Sequence, residues 1–207
     1  MQAAWIAAVC LLVLACGNTE GSAPQVTCGS TIKLEHQATK ALLHSHEIAY
    51  GSGSGQQSVT GSHTPDDANS FWIVRGPEAE PCVQGTPIKS GQLVRLQHAA
   101  TRKWLHSHLF ASPLTNNQEV SAHGDDGRTD TGDVWIIDWD KGAGAWMRDQ
   151  PVRFRHTDTS KYLASHDRKF GRPIAGQQEV CAKAAAAKDS YWLATEGVYY
   201  PDQTADL

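Results

Sequence analysis

The chain has 207 residues and a mass of 22.5 kDa, with 40% apolar and 19% charged residues, an ordinary globular composition that excludes a disordered or collagen-like chain. Its 18 Lys and Arg against 22 Asp and Glu give a formal charge of −4, so there is no basic excess for nucleic acid and no cationic block for an anionic membrane surface. With 18 Gly, 7 Trp and only 2 Met, the composition favours a turn-rich β fold over a helical bundle.

Ala3 to Ala15 is almost wholly apolar. It is shorter than the about 20 residues a membrane-spanning helix needs and fits the core of a secretory signal over residues 1–23, with small residues at Ala15, Gly17 and Gly21-Ser22-Ala23 as cleavage points. A lipoprotein signal lipidated at Cys16 and a buried core helix are the competing readings. No membrane span is expected in the mature chain.

Three copies of one unit follow. His36-Gln-Ala-Thr39-Lys-Ala-Leu42-Leu43-His44-Ser45-His46, His98-Ala-Ala-Thr101-Arg-Lys-Trp104-Leu105-His106-Ser107-His108 and His156-Thr-Asp-Thr159-Ser-Lys-Tyr162-Leu163-Ala164-Ser165-His166 align without a gap and share five of eleven positions. Before each copy lies an apolar–polar alternation, Ile32–His36, Val94–His98 and Val152–His156, the two-residue period of a half-buried strand. After each come Gln57-Ser-Val59, Gln118-Glu-Val120 and Gln178-Glu-Val180, then Trp72, Trp135 and Trp192, spaced by 63 and 57 residues. The unit is thus near 60 residues with four short strands. Its boundaries are read as 25–79, 85–140 and 141–195, with 196–207 as a tail. Lys183-Ala-Ala-Ala-Ala-Lys188 is read as a loop. Three such units can close on one another and remove most exposed edges, so the expected architecture is an all-β, pseudo-threefold β-trefoil; a three-bladed propeller and a sandwich are the alternatives.

In an oxidising compartment two of the three cysteines beyond the signal can pair. Cys28, at the start of the first strand, and Cys82, between the first two units, are the favoured pair, with Cys181 left over. The sequence alone does not fix that pairing.

The Leu-His-Ser-His element and the following Gly51–Gly61 segment resemble the MIR repeat. Val26–Ser30, Gly85–Lys89, Leu105–His108, Ser112–Leu114, Glu119–Ser121 and Glu196–Val198 are similar to the stand-alone stromal cell-derived factor 2-like proteins, over residues 26 to about 200. That resemblance implies a β-trefoil of three MIR repeats. It also implies a non-catalytic adaptor of quality control in the endoplasmic reticulum lumen, partnered by a J-domain co-chaperone, a BiP-type chaperone and unfolded secretory clients. The final Thr204-Ala-Asp-Leu207 departs from the His-Asp-Glu-Leu-type retention signal of animal members, so lumenal residence would depend on a partner, or the protein is secreted.

His44, His46, Trp104, His106, His108 and His166 are the candidate partner- or ligand-binding residues. Imidazoles two residues apart on a strand share a face and can chelate, but Ala164 breaks the pair in the third copy and no fixed carboxylate or Cys recurs beside them, so no metal and no cofactor is expected. His36, His98 and His156 read as satisfied core histidines, and Trp72, Trp135 and Trp192 as a symmetric core layer, with a sugar-stacking platform as the alternative. Trp104, Trp139 and Trp146 break the threefold pattern and read as interface candidates, although packing leads at Trp104. Asp125–Asp130 reads as a solvated acidic loop. No nucleophile elbow, phosphate loop, zinc-protease motif or recurring carboxylate pair is present, so no catalytic residues are assigned. The functional alternative to the adaptor is a mannose-binding module of the secretory pathway, and an enzyme working beside a mannosyltransferase ranks last.

Overall fold

The computed structural model describes residues 24–141 and 144–203; the apolar run over 3–15, Cys10, Cys16 and the 204–207 end lie outside them. Each unit contributes four strands. They are β1 (Thr31–His36), β2 (Leu42–Ala49), β3 (Gln57–Ser62) and β4 (Phe71–Arg75); β5 (Leu93–His98), β6 (Trp104–Ala111), β7 (Gln118–His123) and β8 (Trp135–Asp138); and β9 (Pro151–His156), β10 (Tyr162–Lys169), β11 (Gln178–Lys183) and β12 (Trp192–Val198). A short 3-10 turn precedes each fourth strand, the last of them, Lys188–Ser190, beginning where the expected loop Lys183–Lys188 ends.

Strand β1 pairs with β12 and β4, β4 with β5, β5 with β8, β8 with β9, and β9 with β12, closing a ring of six antiparallel strands. The other six form the hairpins β2–β3, β6–β7 and β10–β11, whose inner strands β3, β7 and β11 pair with one another in a triangle. This barrel with its triangular cap is the expected β-trefoil. Closure satisfies the ladder groups that an open sheet would leave at its edges. In β9 the alternation is plain: Val152, Phe154 and His156 are buried and Arg153 and Arg155 are not.

The shared motif residues have a common role. His36, His98 and His156 are buried, and each Nδ1 lies 2.8, 2.8 and 2.9 Å from the hydroxyl of Thr39, Thr101 and Thr159. Each Nε2 lies 2.9–3.0 Å from the carbonyl of Asp189, Asn69 or Gly132. A carbonyl only accepts, so Nε2 carries the proton and the threonine hydroxyl donates to Nδ1. Burial lowers all three pKa values, which keeps the rings neutral. Each ring also packs on a core tryptophan, Trp192, Trp72 or Trp135, at 4.9–5.0 Å between centroids. The indoles of Trp72, Trp135 and Trp192 donate to the carbonyls of Leu43, Leu105 and Leu163. These tryptophans are fully buried, so they form the core layer and offer no sugar-stacking face.

Glutamines join the units. Gln57 donates from Nε2 to Ser45 at 2.8 Å within its own repeat and to Thr101 at 2.9 Å in the next. Gln118 does the same with Ser107 and Thr159.

Trp146 corrects the sequence-based expectation. It is fully buried against Phe154, not at an interface. Val26 N–H donates to Trp146 C=O, Trp146 N–H to Ile88 C=O and Ile88 N–H to Val26 C=O, a closed ring of three equivalent positions. Symmetry holds for the backbone while the side chain differs. Trp139 packs partly buried against the same core. Cys28 and Cys82 form the expected disulfide, with Cα atoms 6.0 Å apart, and Cys181 is free and buried.

Candidate functional site

The outer strands β2, β6 and β10 share a register slip after Ser45, Ser107 and Ser165. Residues before the slip are buried and those after it emerge: in β6, Trp104–Ser107 are buried, His108 is half-buried and Leu109–Ala111 are exposed. A slip of this kind bends the strand and re-aims its side chains. It places the paired histidines of the first two repeats at the boundary between core and solvent.

His44 and His46 come together as the spacing predicts, with Nε2 of His44 2.7 Å from Nδ1 of His46. Nδ1 of His44 sits 2.9 Å from Asp67 Oδ2, outside good hydrogen-bond alignment. His106 and His108 meet edge to face at 5.1 Å but do not bond to each other. Nε2 of His106 is 3.0 Å from Asp130 Oδ1, and Nε2 of His108 is 2.9 Å from Glu119 Oε1. Burial drives His44 and His106 down to about 4, against the opposing pull of Asp67 and Asp130, so both are neutral near pH 7.

Comparison of the repeats shows a pairing that the motif alone does not reveal. Asp67, Asp130 and Ala187 occupy the same place, the residue before the 3-10 turn, five residues ahead of the core tryptophan. The two aspartates cap their turns, accepting from Asn69 N–H and Gly132 N–H. Where the strand carries His44 or His106 the turn carries Asp; where it carries Ala164 the turn carries Ala187. Two repeats thus hold a His–Asp unit and the third has lost both halves.

The second repeat opens this unit into a cleft of about 530 Å3, walled by His106, Leu109, Asp130, Thr131, Asp158 and Gln56. Gly132 is needed there: a Cβ on it would lie 2.3 Å from His106 Nε2. Thr131 Oγ1 donates to Asp158 Oδ2 at 2.7 Å, fixing a second carboxylate on the rim. Asp130 therefore belongs to a built wall, not merely to a solvated acidic loop. Leu109 lines it and stands 87% exposed, and Phe110, 51% exposed, packs edge to face on His108 at the cleft wall, 5.0 Å between centroids.

Trp104 is a buried packing residue. Its indole N–H donates to Asp125 C=O and its face is covered by the Arg95 guanidinium at 4.1 Å. Arg95 also donates to Gly76 C=O and lies 3.6 Å from Asp133, a buried carboxylate that takes the place of Ser70 and Ser190 in the other repeats. Burial pushes Asp133 up to about 7 in spite of Arg95.

His108 and His166 act as latches. Each pairs with a fully buried glutamate, Glu119 or Glu179, that also receives a loop of the preceding repeat: Ser54 on Glu119, and Leu114 N–H with the Thr115 hydroxyl on Glu179. Ser58 replaces the glutamate in the first repeat, which leaves His46 to bond His44 instead. His166, Glu179 and Cys181 place ligand-type atoms within 4.8 Å of one another. The His166 Nδ1 accepts from Arg168 N–H at 3.1 Å, so its Nε2 carries the proton given to Glu179, and burial pushes the Cys181 thiol up to about 12. Of the three groups, His166 and Glu179 are joined by this hydrogen bond, while Cys181 lies beside them.

The sequence matches the MIR domain family over residues 33–136. It is 54% identical over 177 residues to the stromal cell-derived factor 2-like protein of Arabidopsis thaliana, covering 86% of this chain and 81% of that protein. The crystal structure of the SDF2-like protein from Arabidopsis thaliana superposes with a TM-score of 0.85 at 53% identity, covering 86% of this chain and 99% of that one. The S. cerevisiae protein O-mannosyltransferase complex bound to the sugar donor contains a region that superposes with a TM-score of 0.77 at 31% identity, over 86% of this chain and 26% of that one. Among the described residues no helix is long and apolar enough to cross a membrane. A closed trefoil of three such repeats, matched over most of its length, places the chain in the stromal cell-derived factor 2-like family of MIR-domain proteins.

Proposed function

We propose that this protein is a non-catalytic adaptor of the endoplasmic reticulum lumen, or of the secretory route beyond it, that joins a J-domain co-chaperone and a BiP-type chaperone to unfolded clients and limits their aggregation. The observation that carries the reading is the second-repeat surface. Leu109 and Phe110 project from a rigid, closed scaffold beside a polar cleft, where the matching positions of the third repeat are Asp167 and Arg168. Exposed apolar groups rimmed by polar ones on a rigid frame suit binding of another chain. The Cys28–Cys82 disulfide suits an oxidising compartment. Affinity capture from lumenal extract with crosslinking tests the reading. Recovery of the J-domain protein and chaperone, crosslinked near the β6 end, supports it; recovery of neither, under conditions that hold weak complexes, refutes it.

Glycan binding is the second reading, favoured by the similarity to the mannosyltransferase complex whose structure holds a sugar donor. The carboxylates, hydroxyls and amide around the His106 cleft suit a polyol. A mannose-rich glycan array with no bound member removes it.

A further inference from the structure

The three repeats provide an internal reference: an exposed side chain that departs from both of its counterparts is not one the repeated frame requires, whereas a buried departure such as Trp146 still packs the core. The departures concentrate around the end of β6. Leu109 corresponds to Glu47 and Asp167, Phe110 to Ile48 and Arg168, and Asp158 to Ala38 and Ala100. At Leu109 the other two repeats carry charge, as expected for a solvated strand end. The second repeat instead exposes two large apolar side chains there, and the third repeat adds the Asp158 carboxylate across the cleft.

Charge defines the occupant. Asp130 and Asp158 are both exposed on the cleft, and no Lys or Arg lines it. Asp130 Oδ1 is used by His106 and Gly132 N–H, while among the described residues Oδ2 has no partner. Asp158 Oδ2 is held by Thr131. His106 is neutral and offsets neither carboxylate near pH 7. A cation entering the cleft therefore meets two anchored carboxylates, and the chain that carries it lies against Leu109 and Phe110.

We infer that this cleft binds an extended polypeptide segment in which an apolar side chain neighbours a lysine or arginine, the apolar group seating on Leu109 and Phe110 and the cation between Asp130 and Asp158. This rests on the adaptor reading and names the chemistry that reading leaves open. The cation and the apolar group act together: exposed ion pairs alone are weak, and burial of the leucine supplies most of the affinity.

The test uses the purified protein and three fluorescein-labelled ten-residue peptides, in which Leu-Leu-Lys, Leu-Leu-Glu or Gly-Gly-Lys is set in Gly and Ser, read by anisotropy. The Leu-Leu-Lys peptide is expected to bind at least tenfold more tightly than the others. Two variants copy identities the fold already tolerates at matching positions: the double variant Leu109→Asp with Phe110→Arg, from the third repeat, and Asp158→Ala, from the first and second copies of that turn. The double variant should lose at least tenfold, and Asp158→Ala about threefold for the Lys peptide only. Melting temperatures within about 2 °C of the parent serve as the control for folding. Equal binding of the Lys and Glu peptides, no measurable binding, or variants that bind like the parent overturn the inference. Displacement of the peptide by free mannose assigns the cleft to a sugar and overturns it too. Failure of the Leu-Leu-Lys peptide to bind, with capture of the chaperones from lumenal extract intact, sinks this inference and leaves the adaptor reading standing.

Discussion

Thr101→Val tests whether the repeats are stapled through buried hydrogen bonds as well as through apolar packing. The substitution keeps the side-chain volume and deletes one hydroxyl. That hydroxyl donates to His98 Nδ1 at 2.8 Å and accepts from Gln57 Nε2 at 2.9 Å. Neither partner is wholly stranded, because Thr101 N–H still reaches His98 Nδ1 at 3.3 Å and Ser45 still takes Gln57 at 2.8 Å. Each lost bond then costs about 1 kcal/mol, for a total of about 2 kcal/mol. In a domain of this size that lowers the melting temperature by about 4–8 °C. Thr39→Val is the comparison: it breaks the 2.8 Å contact to His36 and a long 3.4 Å bond from Ala41 N–H but, among the described residues, no glutamine from a neighbouring repeat reaches Thr39. It should cost about 1 kcal/mol less. Urea titration followed by tryptophan fluorescence gives both values, and Gln57→Leu closes a double-mutant cycle with an expected coupling of about 1 kcal/mol. A loss below about 0.5 kcal/mol, equal losses at Thr101 and Thr39, or zero coupling would refute the staple.

Removing the disulfide as Cys28→Ala with Cys82→Ala frees a sequence separation of 54 residues and should cost about 4 kcal/mol on the chain-entropy account, read by calorimetry with and without reductant. Trp146→Ala should cost about 3–5 kcal/mol, as a core tryptophan does, with Trp139→Ala costing less; an exposed role for Trp146 would make its loss nearly silent. His106 falls from 6.5 to about 4 in the folded state, so its contribution is present above pH 6.5 and is lost as pH drops through that window. His106→Ala, the identity found at Ala164, should flatten the urea midpoint between pH 6.5 and 4. Asp133 runs the other way: raised from 3.8 to about 7, it favours the folded state when protonated, and that contribution fades as pH climbs from about 4 through 7. Asp133→Ser, matching Ser70 and Ser190, should gain melting temperature relative to the parent as pH rises from 5 to 8; a constant difference would contradict this.

The trefoil was legible because each motif residue answers a backbone need that arises three times. Histidine and threonine close the turn, leucine gives its carbonyl to an indole, and serine ties a hairpin. Trp146 was misread because its equivalence with Val26 and Ile88 lies in a ring of peptide bonds that places no demand on side-chain identity. The His–Asp unit was half visible. The histidines lie in the aligned block, but their carboxylates sit some two dozen residues on, beyond loops of unequal length, and Asp130 falls at the end of an acidic stretch. Counting back five residues from each core tryptophan finds Asp67, Asp130 and Ala187 and shows them changing in step with His44, His106 and Ala164. The buried glutamates gave no recurring signal, since Ser58 stands in the first copy.

The barrel's seam joins β1 to β12, and Thr27 is tied by its hydroxyl to the Tyr200 carbonyl. A polypeptide delivered with its N-terminus leading can pair its earliest strand with β4 but must leave the other edge of that strand open until almost the last residues arrive. Completion comes in a single late event, so a ribosome stalled shortly before Trp192 leaves a product with two frayed borders instead of two finished thirds.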